Sequence, residues 1–325
     1  MEVSPLAYVG FIGFVVAMLL LDLKLFQTDD ETEPTPKESG TWVAVWVSLA
    51  LVFGIALYFW QGGEIAAQYF AGYLIEYSLS VDNMFVFIVI FQYFAIPFKY
   101  QHRVLFFGIL GALIFRGIFI AVGTALIHNF EWIIYIFGAF LIFTAIRLAK
   151  AGGGEEIHPE KNPVLKFAQR RFPSTENFEG HKLFTVENGK RLATPLFITL
   201  VFIEVTDVLF ALDSIPAIFG ITQDPFIVLT SNVFAILGLR SLYFLLAGAL
   251  NRLHLLNYGL AFVLGFVGVK MLLEAVDVKV PIWLSLVVII GALGVTTVLS
   301  LKTETPEQKE EAKKKSADKK EQTAS

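Results

Sequence analysis

The sequence predicts an all-α membrane protein with about nine transmembrane helices, the N-terminus outside and the C-terminus cytoplasmic. Helices 3–5 and 6–8 are expected to form an inverted three-helix repeat. Three observations predict this. The 325 residues are 56% hydrophobic and only 17% charged, with a mean hydropathy of +0.66; soluble domains carry about 25% charged residues. The apolar residues are gathered into long runs. The basic residues fall almost wholly on one side once those runs are threaded through a bilayer in turn.

A helix needs about 20 apolar residues to cross a hydrocarbon core of about 30 Å. The candidate spans are Leu6–Phe26, Trp42–Trp60, Ile65–Phe94, Val104–Ile127, Trp132–Ala149, Pro195–Phe219, Phe226–Leu250, Leu255–Val276 and Pro281–Leu301. Backbone facing lipid has no water to bond to, so each span reads as a helix. The first run is too long for a signal-peptide core and has neither a basic stretch before it nor a small-residue cleavage site after it, so a retained helix is expected. Of the 25 Lys and Arg, 21 border one face of this arrangement, only Lys279 borders the other, and Arg116, Arg240 and Lys270 lie within spans. The rich face is cytoplasmic by the positive-inside rule.

The chain thus divides into a polytopic membrane domain over residues 1–301 and a tail over 302–325. The tail is charged, Lys/Glu-rich and expected to be disordered or transiently helical in the cytoplasm. The membrane domain includes a cytoplasmic loop at about 150–193, where Asn188-Gly189 suits the tight primed turn of a small hairpin. Cysteine is absent, which excludes a disulfide framework and any thiolate metal site.

The repeat is read from two segments. Glu76-Tyr-Ser-Leu-Ser-Val-Asp82-Asn83 and Asp207-Val-Leu-Phe-Ala-Leu-Asp213-Ser214 share an acid, five residues, an Asp and a small polar residue. Each precedes a span with one mid-span arginine, Arg116 or Arg240. The two copies run in opposite directions through the bilayer, an architecture in which transporters bind substrate near the midplane where the repeats meet.

Five acids, Glu76, Asp82, Glu204, Asp207 and Asp213, interrupt these apolar spans. Each charge at the bilayer centre costs about 2.5–3.5 kcal/mol on the insertion scale. Salt bridges to Arg116 and Arg240 would satisfy only some of them, and Lys270 can reach Glu274 one turn away. The surplus is negative and suits a cation or exchangeable protons. With no Cys and no mid-span His, the donors are hard oxygens from carboxylates, Asn83, Ser80 and Ser214, which suit Mn²⁺, Ca²⁺ or Mg²⁺ and leave the choice open. On a straight helix Glu76 and Asp82 stand about 240° apart, as do Asp207 and Asp213. One ion therefore meets them all only if helices break or several surround it. Pro216 is expected to break span six and free the Leu212 carbonyl as a ligand.

The motifs from Gly72 to Asn83, from Glu204 to Phe219, from Asp224 to Asn232 and from Leu237 to Gly248 resemble the TerC family, most closely its Alx-like branch. The resemblance covers about residues 5–300. It implies manganese export from the cytoplasm, with ties to tellurite resistance and the alkaline-pH response. It also implies metal-site roles for Glu76, Asp82, Asp207 and Asp213, with Asn83 as a neighbouring donor. Arg116, Arg240 and Glu204 are expected to serve as ion-pair or gating residues. The expected function is a secondary transporter in the cell membrane, possessing no resident cofactor and coupled to protons; the alternative is a membrane scaffold of a stress-response complex. Its expected partners are the lipid bilayer, a divalent cation and a second copy or stress proteins, with no nucleic acid. No Gly-x-x-x-x-Gly-Lys-Ser/Thr loop is present for ATP, and no Gly-x-Gly-Asp signature for an intramembrane protease, so an enzyme is not expected.

Overall fold

The computed structural model describes residues 3–25, 35–130, 132–151, 172–175, 177–180, 182–187, 189–247, 255–274, 276 and 278–303. Loop residues 152–171 and tail residues 304–325, with the disorder expected of the tail, lie outside this description. Helices α1 (Pro5–Leu25), α2 (Pro36–Gln61), α3 (Gly63–Tyr93), α4 (Phe98–Asn129) and α5 (Ile133–Ala151) come first. Strands β1 (Phe184–Glu187) and β2 (Lys190–Ala193) follow, then α6 (Pro195–Phe219), α7 (Pro225–Leu237), α8 (Leu239–Ala247), α9 (Leu256–Glu274) and α10 (Ile282–Lys302). Among the described residues, eight helices are long and apolar enough to cross a membrane, and nine if α7 and α8 make one span bent by 41°.

Several helices outrun their apolar segments because local chemistry sets their ends. Helix α2 starts six residues before the apolar run at Trp42. Pro36 occupies its first position, and Thr35 and Glu38 form a reciprocal capping box, with the Thr35 N–H donating to Glu38 Oε2 at 2.8 Å. Asp224 starts α7 in the same manner, its Oδ1 accepting from the Phe226 and Ile227 N–H groups at 2.9 and 3.3 Å. Helices α3 and α4 rise about 46–48 Å at 1.5 Å per residue, so both project beyond the hydrocarbon core.

Pro216 does not break its helix as the sequence suggested. Helix α6 continues through it to Phe219, and Pro216 falls in the last turn, where its carbonyl accepts from the Gly220 N–H at 3.0 Å. The break lies instead in the next span, at Gly238 between α7 and α8. Gly238 lies against Trp46 of α2, and a Cβ there would stand 3.1 Å from the Trp46 Cβ.

The packing is reciprocal between the two halves. Helix α3 packs on α7 and α4 packs on α6, while α3 also meets α6 and α5 meets α9. This pattern is compatible with a two-fold relation between α3–α5 and α6–α9. The α5–α9 contact is the most extensive of the helix pairs. It rests on Gly138 and Gly268: a Cβ on Gly268 would come within 2.8 Å of the Gly138 carbonyl. Apolar side chains gain little from each other in lipid, so close backbone approach through small residues supplies the contact instead.

The hairpin is present as expected, with β1 and β2 antiparallel and Glu187 opposite Lys190. Gly189 has φ +73°, the left-handed conformation a primed turn demands; Asn188 lies outside the described residues. The hairpin runs straight into α6. The Ala193 N–H donates to the Pro173 carbonyl at 2.8 Å, and Thr194 Oγ1 donates to the Lys182 carbonyl at 2.8 Å.

Candidate functional site

Arg116, Glu76 and Asp207 meet near the middle of the bundle, one from each of α4, α3 and α6. The Arg116 guanidinium is 1% exposed, Glu76 0% and Asp207 3%. Arg116 Nε donates to Asp207 Oδ2 at 3.1 Å and Nη2 to Oδ1 at 3.0 Å, the two-pronged geometry a planar guanidinium offers a carboxylate. Nη1 of the same group pairs with Glu76 Oε1. By formal charge, one cationic group therefore faces two acidic ones, a formal sum of −1 for the trio. Asp207 stands at the midpoint of its helix, which places the cluster at mid-membrane depth.

Glu204 lies one turn before Asp207 on α6. Its carboxylate occupies space that only a glycine leaves free on α4, since a Cβ on Gly111 would overlap it. Oε2 of Glu76 and Oε2 of Glu204 have no hydrogen-bond partner among the described residues, and neither do the hydroxyls of Ser80 and Ser214. Buried acceptors are normally satisfied. Here oxygens without donors collect on the two helices that also carry the surplus negative charge.

The other expected site residues lie apart from this trio. Asp213 is six residues beyond Asp207 and faces α5, where Thr144 Oγ1 donates to its Oδ1 at 2.9 Å. The straight α6 thus keeps Asp207 and Asp213 on different faces, as the 100° helical step requires. Asn83 is buried on α3. Asp82 lies in the same helix, with its side chain outside the description. Among the described residues no three His, Asp or Glu side chains come close enough to hold a metal ion. Leu212 is 43% exposed.

Arg240 corrects the expected pairing. Its described ion pair is with an acid that the sequence reading had not singled out. Its Nη2 donates to Asp22 Oδ2 at 2.8 Å and to the Asp22 carbonyl at 2.7 Å, near the C-terminal end of α1. Asp22 is buried and was missed by sequence reasoning. The one available signal was an acid inside the first apolar run. Lys270 behaves as its spacing predicts, with Nζ 3.5 Å from Glu274 Oε1.

The family model for the integral membrane protein TerC family matches residues 61–309 of this chain. Over 299 residues the chain is 54% identical to an uncharacterized membrane protein of Myxococcus xanthus, covering 92% of each. It is 44% identical over 306 residues to Alx of Escherichia coli, provisionally named a membrane-bound redox modulator, covering 91% of this chain and 94% of that one. It is also 44% identical over 273 residues to the chloroplastic thylakoid membrane protein TERC of Arabidopsis thaliana, covering 84% of this chain and 71% of that one. No solved structure matches.

Proposed function

The chain belongs to the TerC family of integral membrane proteins, and from that premise we propose that it is a secondary transporter exporting a divalent cation, Mn²⁺ first among the candidates, from the cytoplasm. It is a multi-pass protein of the cell membrane. One observation carries the reading: carboxylates from both halves of the molecule, Glu76 and Asp207, converge on one buried arginine at mid-membrane. A guanidinium closing two carboxylates is what a cation site looks like when the protein supplies its own cation. The cargo would displace Arg116 and take Glu76 and Asp207 as charged ligands. Ser80, Ser214 and Asn83 would add neutral oxygens, and Asp82 and Asp213 would serve as further ligands or proton carriers. These hard donors suit Mn²⁺, Mg²⁺ or Ca²⁺. Returning protons would neutralise the surplus charge after release. The name of the Escherichia coli relative refers to redox, but this chain has no cysteine to carry thiol chemistry of its own. Control of a redox-active metal's level would serve that role instead.

The test is total cellular Mn in an export-deficient host under high external Mn²⁺. Wild type, Glu76→Gln, Asp207→Asn and Asp213→Asn are compared at equal membrane expression. Wild type is expected to lower cellular Mn, and the first two variants to leave it at the level of the empty host. If Ca or Mg falls instead, the cargo is corrected. If no cation moves under wild type, transport is wrong and a scaffold role takes its place.

A further inference from the structure

Three buried groups on three helices lack hydrogen-bond partners at one depth of the bundle. Asn232 of α7 is 1% exposed, and neither its Oδ1 nor its Nδ2 has a partner among the described residues. The same holds for the Ser214 hydroxyl of α6 and for Oε2 of Glu76 on α3. Buried amides and hydroxyls are normally satisfied. Other hydroxyls on these helices are: Thr206 donates to the Phe202 carbonyl and Ser231 to the Ile227 carbonyl, both at 2.7 Å. Ser214 does not bond back to its own helix in this way.

Packing brings the three groups together. Helices α3, α6 and α7 meet at Gly72, where a Cβ would stand 2.9 Å from Ser231 Oγ of α7 and 3.5 Å from Ile218 Cγ2 of α6. Side chains four apart share a helix face, so Glu76 stands one turn beyond Gly72 on that face, and Ser214 one turn before Ile218. Successive spans alternate in direction, so α6 runs against α3 and both steps lead to the same depth. The contacts of α4 agree, running along α6 from Gly111 at Glu204 to Gly123 at Phe219. Helical side chains lean toward the N-terminus of their helix, which tilts Glu76 back toward Gly72 and the level of Asn232. Helix α7 divides its sides between two apolar cores. Val233 and Leu237 pack in the core of Trp46 from α2. Val228 and Ile236, one turn to either side of Asn232, pack in the core of Ile75, Ile109 and Ile203 from α3, α4 and α6. Asn232 thus faces the helices that bear Glu76, Arg116 and Asp207.

We propose that Asn232 is a ligand of the cargo: its side-chain oxygen joins Ser214 Oγ and Glu76 Oε2 around a divalent cation that has displaced Arg116. This deepens the transport reading and rests on it. An amide oxygen is a hard, neutral donor that suits Mn²⁺, Mg²⁺ or Ca²⁺. Unlike a further carboxylate, it adds no formal charge to the trio and takes up no proton when the cation leaves. The amide without a partner in its own fold finds one in the cation.

The test measures binding and needs no transport. The full-length chain in phosphatidylcholine nanodiscs is titrated with Mn²⁺, and free Mn²⁺ is read from its EPR signal. Wild type, Asn232→Leu, Asn232→Asp and Asn232→His are compared, each checked for folding by denaturant titration. Asn232→Leu keeps the size and removes the oxygen, and is expected to weaken binding at least about tenfold, since losing even an outer partner of a metal site costs about 10–100-fold. Asn232→Asp keeps an oxygen in place and is expected to bind at least as tightly as wild type. Asn232→His brings an imidazole nitrogen and is expected to raise the affinity for Zn²⁺ relative to Mn²⁺ by about tenfold or more, because imidazole suits Zn²⁺ and oxygen donors suit Mn²⁺. A role in packing alone moves no such ratio. Wild-type Mn²⁺ binding by Asn232→Leu overturns the inference and leaves the transport reading standing; so does an unchanged Zn²⁺ to Mn²⁺ ratio in Asn232→His. If Asn232→Leu does not fold, that ratio decides. If wild type binds no divalent cation, the inference falls, and the efflux assay decides separately whether transport falls with it.

Discussion

Replacing Arg116 by Gln should destabilise the protein far more than replacing either of its partners, and the charge count sets the order. Arg116→Gln leaves two carboxylates, at 0% and 3% exposure, with no cation between them. Removing one member of a buried ion pair typically costs about 3–5 kcal/mol, because the other is stranded. Glu76→Gln turns a −1 trio into a neutral one with the two-pronged Asp207 bonds intact. It exchanges an ion pair for a hydrogen bond in which only the guanidinium is charged, a bond still worth roughly 1.5–3 kcal/mol, and removes the surplus charge. The net loss should stay within about 2 kcal/mol. The double variant Glu76→Gln/Arg116→Gln strands one carboxylate rather than two, so it should be more stable than Arg116→Gln alone, a coupling of about 1–3 kcal/mol. The assay is unfolding of the purified protein in mixed micelles with increasing dodecyl sulfate, followed by the fluorescence of its 5 tryptophans. Two results refute the reasoning: Arg116→Gln no weaker than Glu76→Gln, or a double variant no stronger than Arg116→Gln.

Two further substitutions test close approaches by the same titration. Gly111→Ala puts a methyl where the Glu204 carboxylate lies; overpacking of this kind costs about 1–3 kcal/mol. The loss should shrink to a few tenths of that in a Glu204→Ala background, and a loss that ignores Glu204 would show the carboxylate lies elsewhere. Gly268→Val drives a branched group into the Gly138 carbonyl and should cost at least about 3 kcal/mol, whereas Gly291→Val, with open space around it, should stay within about 0.5 kcal/mol of wild type.

The spans were legible because lipid demands them: an apolar run of the right length has only one structure available. Helix ends were less so. Thr35, Pro36 and Glu38 start α2 six residues early by local hydrogen bonding that hydropathy does not register. Of the candidate site, the sequence suggested only that Arg116 would pair with one of the membrane acids; that Glu76 and Asp207 share it depends on how three helices pack, which hydropathy does not encode. The separation of Asp213 followed from the helical step. Asp22 did not follow, because its partner is 218 residues away and no periodicity encodes a contact of that range. The break was misplaced for a related reason. A proline announces a break, but in the last turn of α6 it removes little, while Gly238 inside Leu-Gly-Leu-Arg reads as an ordinary small residue until its neighbour Trp46 is known.

The hairpin before α6 has a mechanical meaning. Thr194 and Ala193 are laced to Lys182 and Pro173 at the point where α6 enters the bundle, so the helix carrying Glu204, Asp207 and Asp213 is clamped at its N-terminal root. A helix clamped there resists sliding along its axis, and the glycine-sealed α5–α9 pair resists separation. A displacement of the hairpin would therefore reach α6 and its acids directly, through backbone bonds and not through side-chain packing.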